Sequence, residues 1–278
     1  MLIDLAECLY LSSESKVNNN MRIQSDNTPS PSSALTELGR IAVGEKVERS
    51  GQLVPSSIDS FRIRGDHAEA VHKVYGETIT ELPILFYSDQ EEIVCNERLE
   101  IRTAEGKLFG YGDNHTFHIW NDELKKYAVT TVEKRPQIRD ETVTFLQKNL
   151  HPGKAKLIKW LPVLTLRFVI RDIPLLGYWQ FSTRAVQTTI PNLRNKFDEY
   201  KKLFGSVQYL PFLLKVKKVK SNKPGMVYQY PIVDLVPQFS FETAHRLARH
   251  LRENPQADVS HWLSENGDKP EQLPSVAE

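Results

Sequence analysis

Apolar and polar positions along the chain fall into short alternating runs and a few helical stripes. Phe61-Arg62-Ile63-Arg64 alternates with period two, then Ala68, Val71, Val74 and Tyr75 repeat at three and four, the spacing of one helix face. Asp66 with Glu69 three residues on gives a capping-box pattern, and Gly76 stands where a helix end adopts positive φ. Residues 82–87 read as a strand whose Pro83 places it at a strand start or an edge. Strands over 93–103 and 107–120 flank the hairpin turn Ala104-Glu105-Gly106.

Farther on, 160–171 and 176–184 read as strands either side of Asp172-Ile173-Pro174. Pro191 lies in the first turn of a helix whose Ile190, Leu193, Phe197, Tyr200, Leu203 and Phe204 form a stripe closed by Gly205. Strands over 210–220 and 227–236 make a hairpin about Asn222-Lys223-Pro224-Gly225. A last helix, 241–252, turns Leu247, Ala248 and Leu251 inward and spreads Arg246, Arg249, His250 and Arg252 over its polar side.

The order repeats. Tyr75-Gly76 before Leu82-Pro83 matches Phe204-Gly205 before Leu210-Pro211. The pattern predicts an α+β fold of mainly antiparallel sheets with helices on one face, built from two related strand-helix-strand units. The expected divisions are a flexible Ser/Asn/Pro-rich arm over 1–34, α+β units over 35–137 and 138–253, and a polar tail over 254–278.

Thirty-six Lys+Arg against 35 Asp+Glu leave no net field toward nucleic acid or an anionic membrane, so any electrostatic partner must meet a local patch. Cys8 and Cys95 are too few for a disulfide framework or a cysteine zinc site, which fits a reducing cytoplasm. No apolar run approaches membrane-spanning length, and acids at Asp4 and Glu7 occupy the place of a signal peptide's bases.

No residue set argues for catalysis. Asp113, His115 and His118 are the densest group of potential metal ligands, but strand residues three apart point to opposite faces. His245 and His250 are five apart, off the zinc spacing of four. Cys95 beside Arg98 suggests a stabilised thiolate, yet no base accompanies it. The glycines of 39–44 and 110–113 match neither a P-loop nor a dinucleotide fingerprint. Two basic features remain: Lys215, Lys217, Lys218, Lys220 and Lys223 on one hairpin arm, and Arg246 and Arg249 on the last helix. Edge-strand protection and a solvated helix face are the structural explanations for them.

Leu38-Gly39-Arg40-Ile41-Ala42-Val43-Gly44-Glu45-Lys46, then Pro55-Ser56-Ser57-Ile58-Asp59-Ser60-Phe61-Arg62 and Tyr75-Gly76, resembles the opening of the phage recombination directionality factors that work with large serine integrases. Leu176-Gly177-Tyr178-Trp179-Gln180-Phe181-Ser182-Thr183, a helix, Lys215-Val216-Lys217-Lys218-Val219 and Tyr230-Pro231-Ile232-Val233-Asp234-Leu235 continue the likeness, over roughly 35–240. Relatives from actinobacterial phages carry extra mid-chain cysteines, suggesting a metal site, where this chain has only Cys95.

The resemblance implies a cytoplasmic, non-enzymatic accessory protein without a cofactor. It would bind a large serine integrase on attachment-site DNA, touch DNA directly or through the integrase, and favour prophage excision. Two alternatives stand beside it. One is a phage DNA-binding module stacking bases on Tyr209, Phe212, Tyr228 and Tyr230 beside the lysines. The other is a metal-dependent hydrolase using Asp113, His115 and His118.

Overall fold

Thirteen strands and seven helices alternate along residues 35–49, 52–56, 58–220, 229–254 and 257–267, the portion described by this computed structural model. The expected arm at 1–34, the turn at 222–225 and Lys223 lie outside the described residues. In chain order come β1 (Glu37–Ala42), β2 (Glu45–Arg49), β3 (Gln52–Ser56), β4 (Arg62–Arg64), α1 (Ala68–Tyr75), β5 (Glu81–Leu85) and α2 (Glu91–Val94). Next are β6 (Cys95–Arg102), β7 (Leu108–Gly112), β8 (Thr116–Asn121), β9 (Lys126–Thr131), α3 (Ile138–Gln147) and α4 (Pro152–Ala155). The chain continues with β10 (Leu161–Ile170), β11 (Tyr178–Thr183), α5 (Thr189–Phe204), β12 (Pro211–Lys220), β13 (Gln229–Pro237), α6 (Phe241–Glu253) and α7 (Val259–Asn266). The fold is α+β: β1 pairs with β11 in parallel, while the β1–β4, β10–β11, β10–β5, β12–β13, β12–β5, β2–β3, β6–β7, β7–β8 and β8–β9 ladders are antiparallel.

Contacts divide the described chain into two compact units, one of residues 98–162 and one of residues 35–97 with 163–267. This division is nested in sequence, whereas the sequence pattern suggests a boundary after residue 137. In the larger unit, β13, β12, β5 and β10 pair in that order, and β10, β11, β1 and β4 continue the pairing. Leu82, Ile84, Phe168, Phe181, Phe212 and Leu214 from the strands meet Val71 of α1, Leu193 and Phe197 of α5, and Leu247 of α6 in one core. The smaller unit is a β6-β7-β8-β9 meander whose Ile101 and Phe117 pack with Ile138 of α3 and with Ile158 and Trp160.

The two strand-helix-strand stretches are β4-α1-β5 and β11-α5-β12, and β5 and β12 lie side by side, with Pro83 opposite Leu213 and Pro211 opposite Leu85. Pro83 is thus in an interior strand, not at an edge. Its pairing with β10 has reached its last step there: the Arg171 amide donates to the Pro83 carbonyl at 3.0 Å, and the return bond is the one proline cannot make.

Local chemistry accounts for other departures. Asp66 does not cap α1; His67 holds the cap position without a side-chain bond, and Gly76 has positive φ with extended ψ. The single strand expected over 107–120 breaks because the Asp113 carboxylate accepts the His115 and Thr116 amides at 2.9 and 2.7 Å while Asn114 takes φ 81°. The expected tail contains α7, capped where Asp258 accepts the His261 amide, and Trp262 stacks on His250 at 5.8 Å.

Helix α5 is fixed by polar groups at both ends of its length. Asn192, Lys196 and Tyr200, spaced one turn apart, face β13. Asn192 Nδ2 donates to Val233 O at 2.9 Å and to Asp234 Oδ1 at 3.0 Å, and the Tyr200 hydroxyl donates to Leu235 O. Lys196 and Lys217 each reach an oxygen of the buried Asp234 carboxylate at 2.6 Å. Glu91 also takes Arg194 from the first half of the helix and Lys201 from its last turn, and past the left-handed Gly205 the Asp89 carboxylate accepts Ser206 Oγ and the Val207 and Gln208 amides.

Burial works against ionisation of Asp234, but its hydrogen bonds from Lys196, Lys217 and Asn192 win and bring its pKa down to about 2. The unfolded chain, with an ordinary aspartate near 3.9, therefore binds the proton first as pH falls. This contribution, roughly 2 kcal/mol, is fully present above about pH 5 and is lost as pH drops toward 2. Asp234→Asn leaves Lys196 and Lys217 without their carboxylate; it is expected to cost about 3 kcal/mol at neutral pH and to flatten that acid limb in urea titrations run from pH 7 to pH 3. A second site tests β1: a Cβ on Gly39 would lie 2.4 Å from the Arg64 carbonyl and 2.6 Å from the Trp179 ring, so Gly39→Ala is expected to lower stability by about 1–3 kcal/mol in the same assay.

Candidate interaction surface

Cross-strand register decides what the lysine arm presents. Lys215 sits opposite Glu81 of β5 and pairs with its carboxylate; Lys217 is spent on Asp234; Lys218 reaches Asp59 at 2.6 Å. Three of the predicted cations therefore meet acids supplied by other segments, and the positive arm is largely neutralised at its base. Lys220, at the strand end, is exposed and has no ion pair among the described residues. On α6, Arg246 donates to Thr243 Oγ1 and to the Asn266 carbonyl, tying α6 to α7. Arg249 is exposed on the same helix.

Phe212 cannot take part in the expected aromatic platform. Phe212 is fully buried, with its ring 5.6 Å from Phe86 and 5.4 Å from Tyr200, while Tyr209 is half exposed in a positive-φ conformation and Tyr228 falls outside the described residues. A ring consumed by the core offers no face to a base, which removes Phe212 from the stacking set.

The residues considered for chemistry are also separated. Asp113 holds turn amides, His115 Nε2 lies 3.2 Å from Glu133, and His118 stacks flat on Tyr111 at 4.5 Å. Burial, followed by the Arg98 charge, keeps the His118 imidazole below its usual pKa. Arg98 itself lies 4.6 Å over the Tyr111 ring and, with Arg102, brackets the buried Glu100. Burial pushes the Cys95 thiol up to about 12, so it is protonated at neutral pH and sealed from reagents.

One cation row escapes a linear reading because four segments contribute to it. On the sheet face opposite the buried Ile41, Ile63, Leu166 and Phe181, the register aligns Arg64 of β4, Arg40 of β1, Gln180 of β11 and Arg167 of β10. Arg62 lies one step along β4, on the same face as Arg64. Arg40 is 68% exposed at its side chain and bonds Glu37 at 2.7 Å; Arg64 is exposed. Arg167 donates to Ile93 O at 3.4 Å and lies 5.6 Å from the Tyr178 ring centre. The only sequence signal would have been the period-two arginines of β4, which alone say nothing about the neighbours that register brings.

No curated protein and no solved structure gives a significant match to the chain. A family model described as Gp3-like, recombination directionality factor-like, matches residues 38–238, from the first core residue of β1 to just past β13. That span contains both Leu-Pro strands, α5 and the Asp234 cluster that fastens it, so the likeness extends over the folded body and not one motif. The chain belongs to the Gp3-like, recombination directionality factor-like family.

Proposed function

We propose that this protein is a recombination directionality factor that binds a large serine integrase on attachment-site DNA, in the bacterial cytoplasm, and biases it toward excision. The observation that carries the reading is the family match over residues 38–238. The chemistry of the side chains agrees with it. A factor of this kind needs no nucleophile, because the integrase cuts and rejoins DNA itself; here the Cys95 thiol is sealed and Asp113 is committed to backbone amides.

Such a factor acts by differential affinity. Moving a two-state population of integrase complexes from mostly integrative to mostly excisive takes about 5.5 kcal/mol of preferential binding, within reach of several modest contacts. Of the exposed members of the predicted contact set, Lys218 is paired with Asp59 and Arg246 is bonded to Thr243 and Asn266, so Lys220 and Arg249 are candidates for some of those contacts. The balanced charge of the chain supports recruitment through a protein partner over capture by naked duplex. The burial of Phe212 disfavours the stacking module.

The experiment is a recombination assay with a purified large serine integrase encoded beside this chain's gene and its four attachment sites. Adding the protein should switch on attL × attR joining and suppress attP × attB joining, while gel shifts show a supershift of integrase–DNA complexes and no shift of DNA alone. Unchanged product ratios at saturating protein would overturn the proposal.

A further inference from the structure

We propose that the arginine row Arg64–Arg40–Gln180–Arg167 docks an acidic helical segment of a protein partner. The inference goes beyond the reading above: it names a surface and a ligand chemistry, and holds whether or not the partner is an integrase.

The first argument is electrostatic. Arg40 and Arg64 are direct antiparallel partners, which sets their Cβ atoms about 5 Å apart with like charges opposed, an arrangement that costs stability. Glu37 is the one carboxylate bonded to the row among the described residues, and it reaches only Arg40. The contrast with β12 is direct: its Lys215, Lys217 and Lys218 are each answered by an acid from within the chain, whereas Arg64 has none among the described residues. A partner carboxylate placed between Arg40 and Arg64 would relieve the repulsion and accept two guanidinium forks.

The second argument is spacing. Neighbouring strands lie about 4.8 Å apart, so the row runs about 14 Å from Arg64 to Arg167, across the strands. A helix laid along it presents side chains one turn apart at 5–6 Å. Acids at i and i+4 meet Arg64 and Arg40, a polar residue meets Gln180, and an acid at i+11, about 16 Å on, meets Arg167 beside the Tyr178 ring. Gln180 carries no charge but offers a donor and an acceptor, and it already bonds Ser182. Duplex DNA fits less well: the chain carries no net field, and Lys215, Lys217 and Lys218 of β12 are answered by acids.

The test uses the full chain and a fluorescent helical peptide carrying Glu at i, i+4 and i+11, with a control of equal charge whose glutamates are scattered around the helix, and a 20-base-pair duplex. Anisotropy should show the aligned peptide bound at least tenfold more tightly than the control, with affinity falling as salt rises. Arg64→Gln and Arg40→Gln should each weaken it about tenfold, and Lys220→Ala should not. Thermal melts distinguish docking from a structural role: Arg64→Gln should melt at or above the wild-type temperature, since a like-charge contact is gone. Equal binding of both peptides, equal binding by the arginine variants, or tighter binding of duplex through the same arginines would each overturn the assignment.

Discussion

A single buried carboxylate decides how the larger unit closes. Asp234 stands on β13 with almost no solvent contact, and an ion in that position is tolerable only if its charge is met on all sides. Lys196 arrives from α5, Lys217 from β12 and the Asn192 amide from the first half of α5. Meeting that requirement draws the helix onto the last two strands of the sheet, in one register and one rotation. The apolar stripe of Ile190, Leu193 and Phe197 would pack against any greasy surface; the ionic contact specifies which one. The same requirement consumes Lys217, so core closure and the electrostatics of the β12 arm are set by one residue.

The larger elements were legible because their signals are local. Stripes at three and four gave α1, α5 and α6, aromatic-glycine ends gave the stops of α1 and α5, and Leu-Pro openings gave β5 and β12. Failures came where one side chain intervenes. Asp113 splits a strand by accepting two amides, and nothing in the apolar pattern of 107–120 reveals it. β9, α3 and α4 have weak apolar periodicity, and α3 gains definition by packing Ile138, Val143 and Leu146 into the cluster of Phe117 and Trp160. Pro83 shows the limit of a rule: proline excludes a donor from a ladder but not a strand from the sheet interior, provided the missing bond falls at a neighbour's end.

The surface was less legible than the fold for the same reason. Five lysines within nine residues look like a patch in one dimension, but Glu81, Asp59 and Asp234 come from distant segments. Conversely, Arg40, Arg64 and Arg167 are scattered in sequence and become neighbours only through three separate ladders, one of them the parallel β1–β11 pairing. Charge density along a chain and charge density over a sheet are different quantities, and only knowledge of register converts one into the other.

The nesting of residues 98–162 inside the larger unit has an evolutionary consequence. An excursion that leaves the chain at one point and rejoins it 65 residues later can be enlarged, trimmed or exchanged while its host keeps its own strand order. Divergence among relatives should then concentrate in that excursion, giving this lineage a place to acquire new specificities without rebuilding its scaffold.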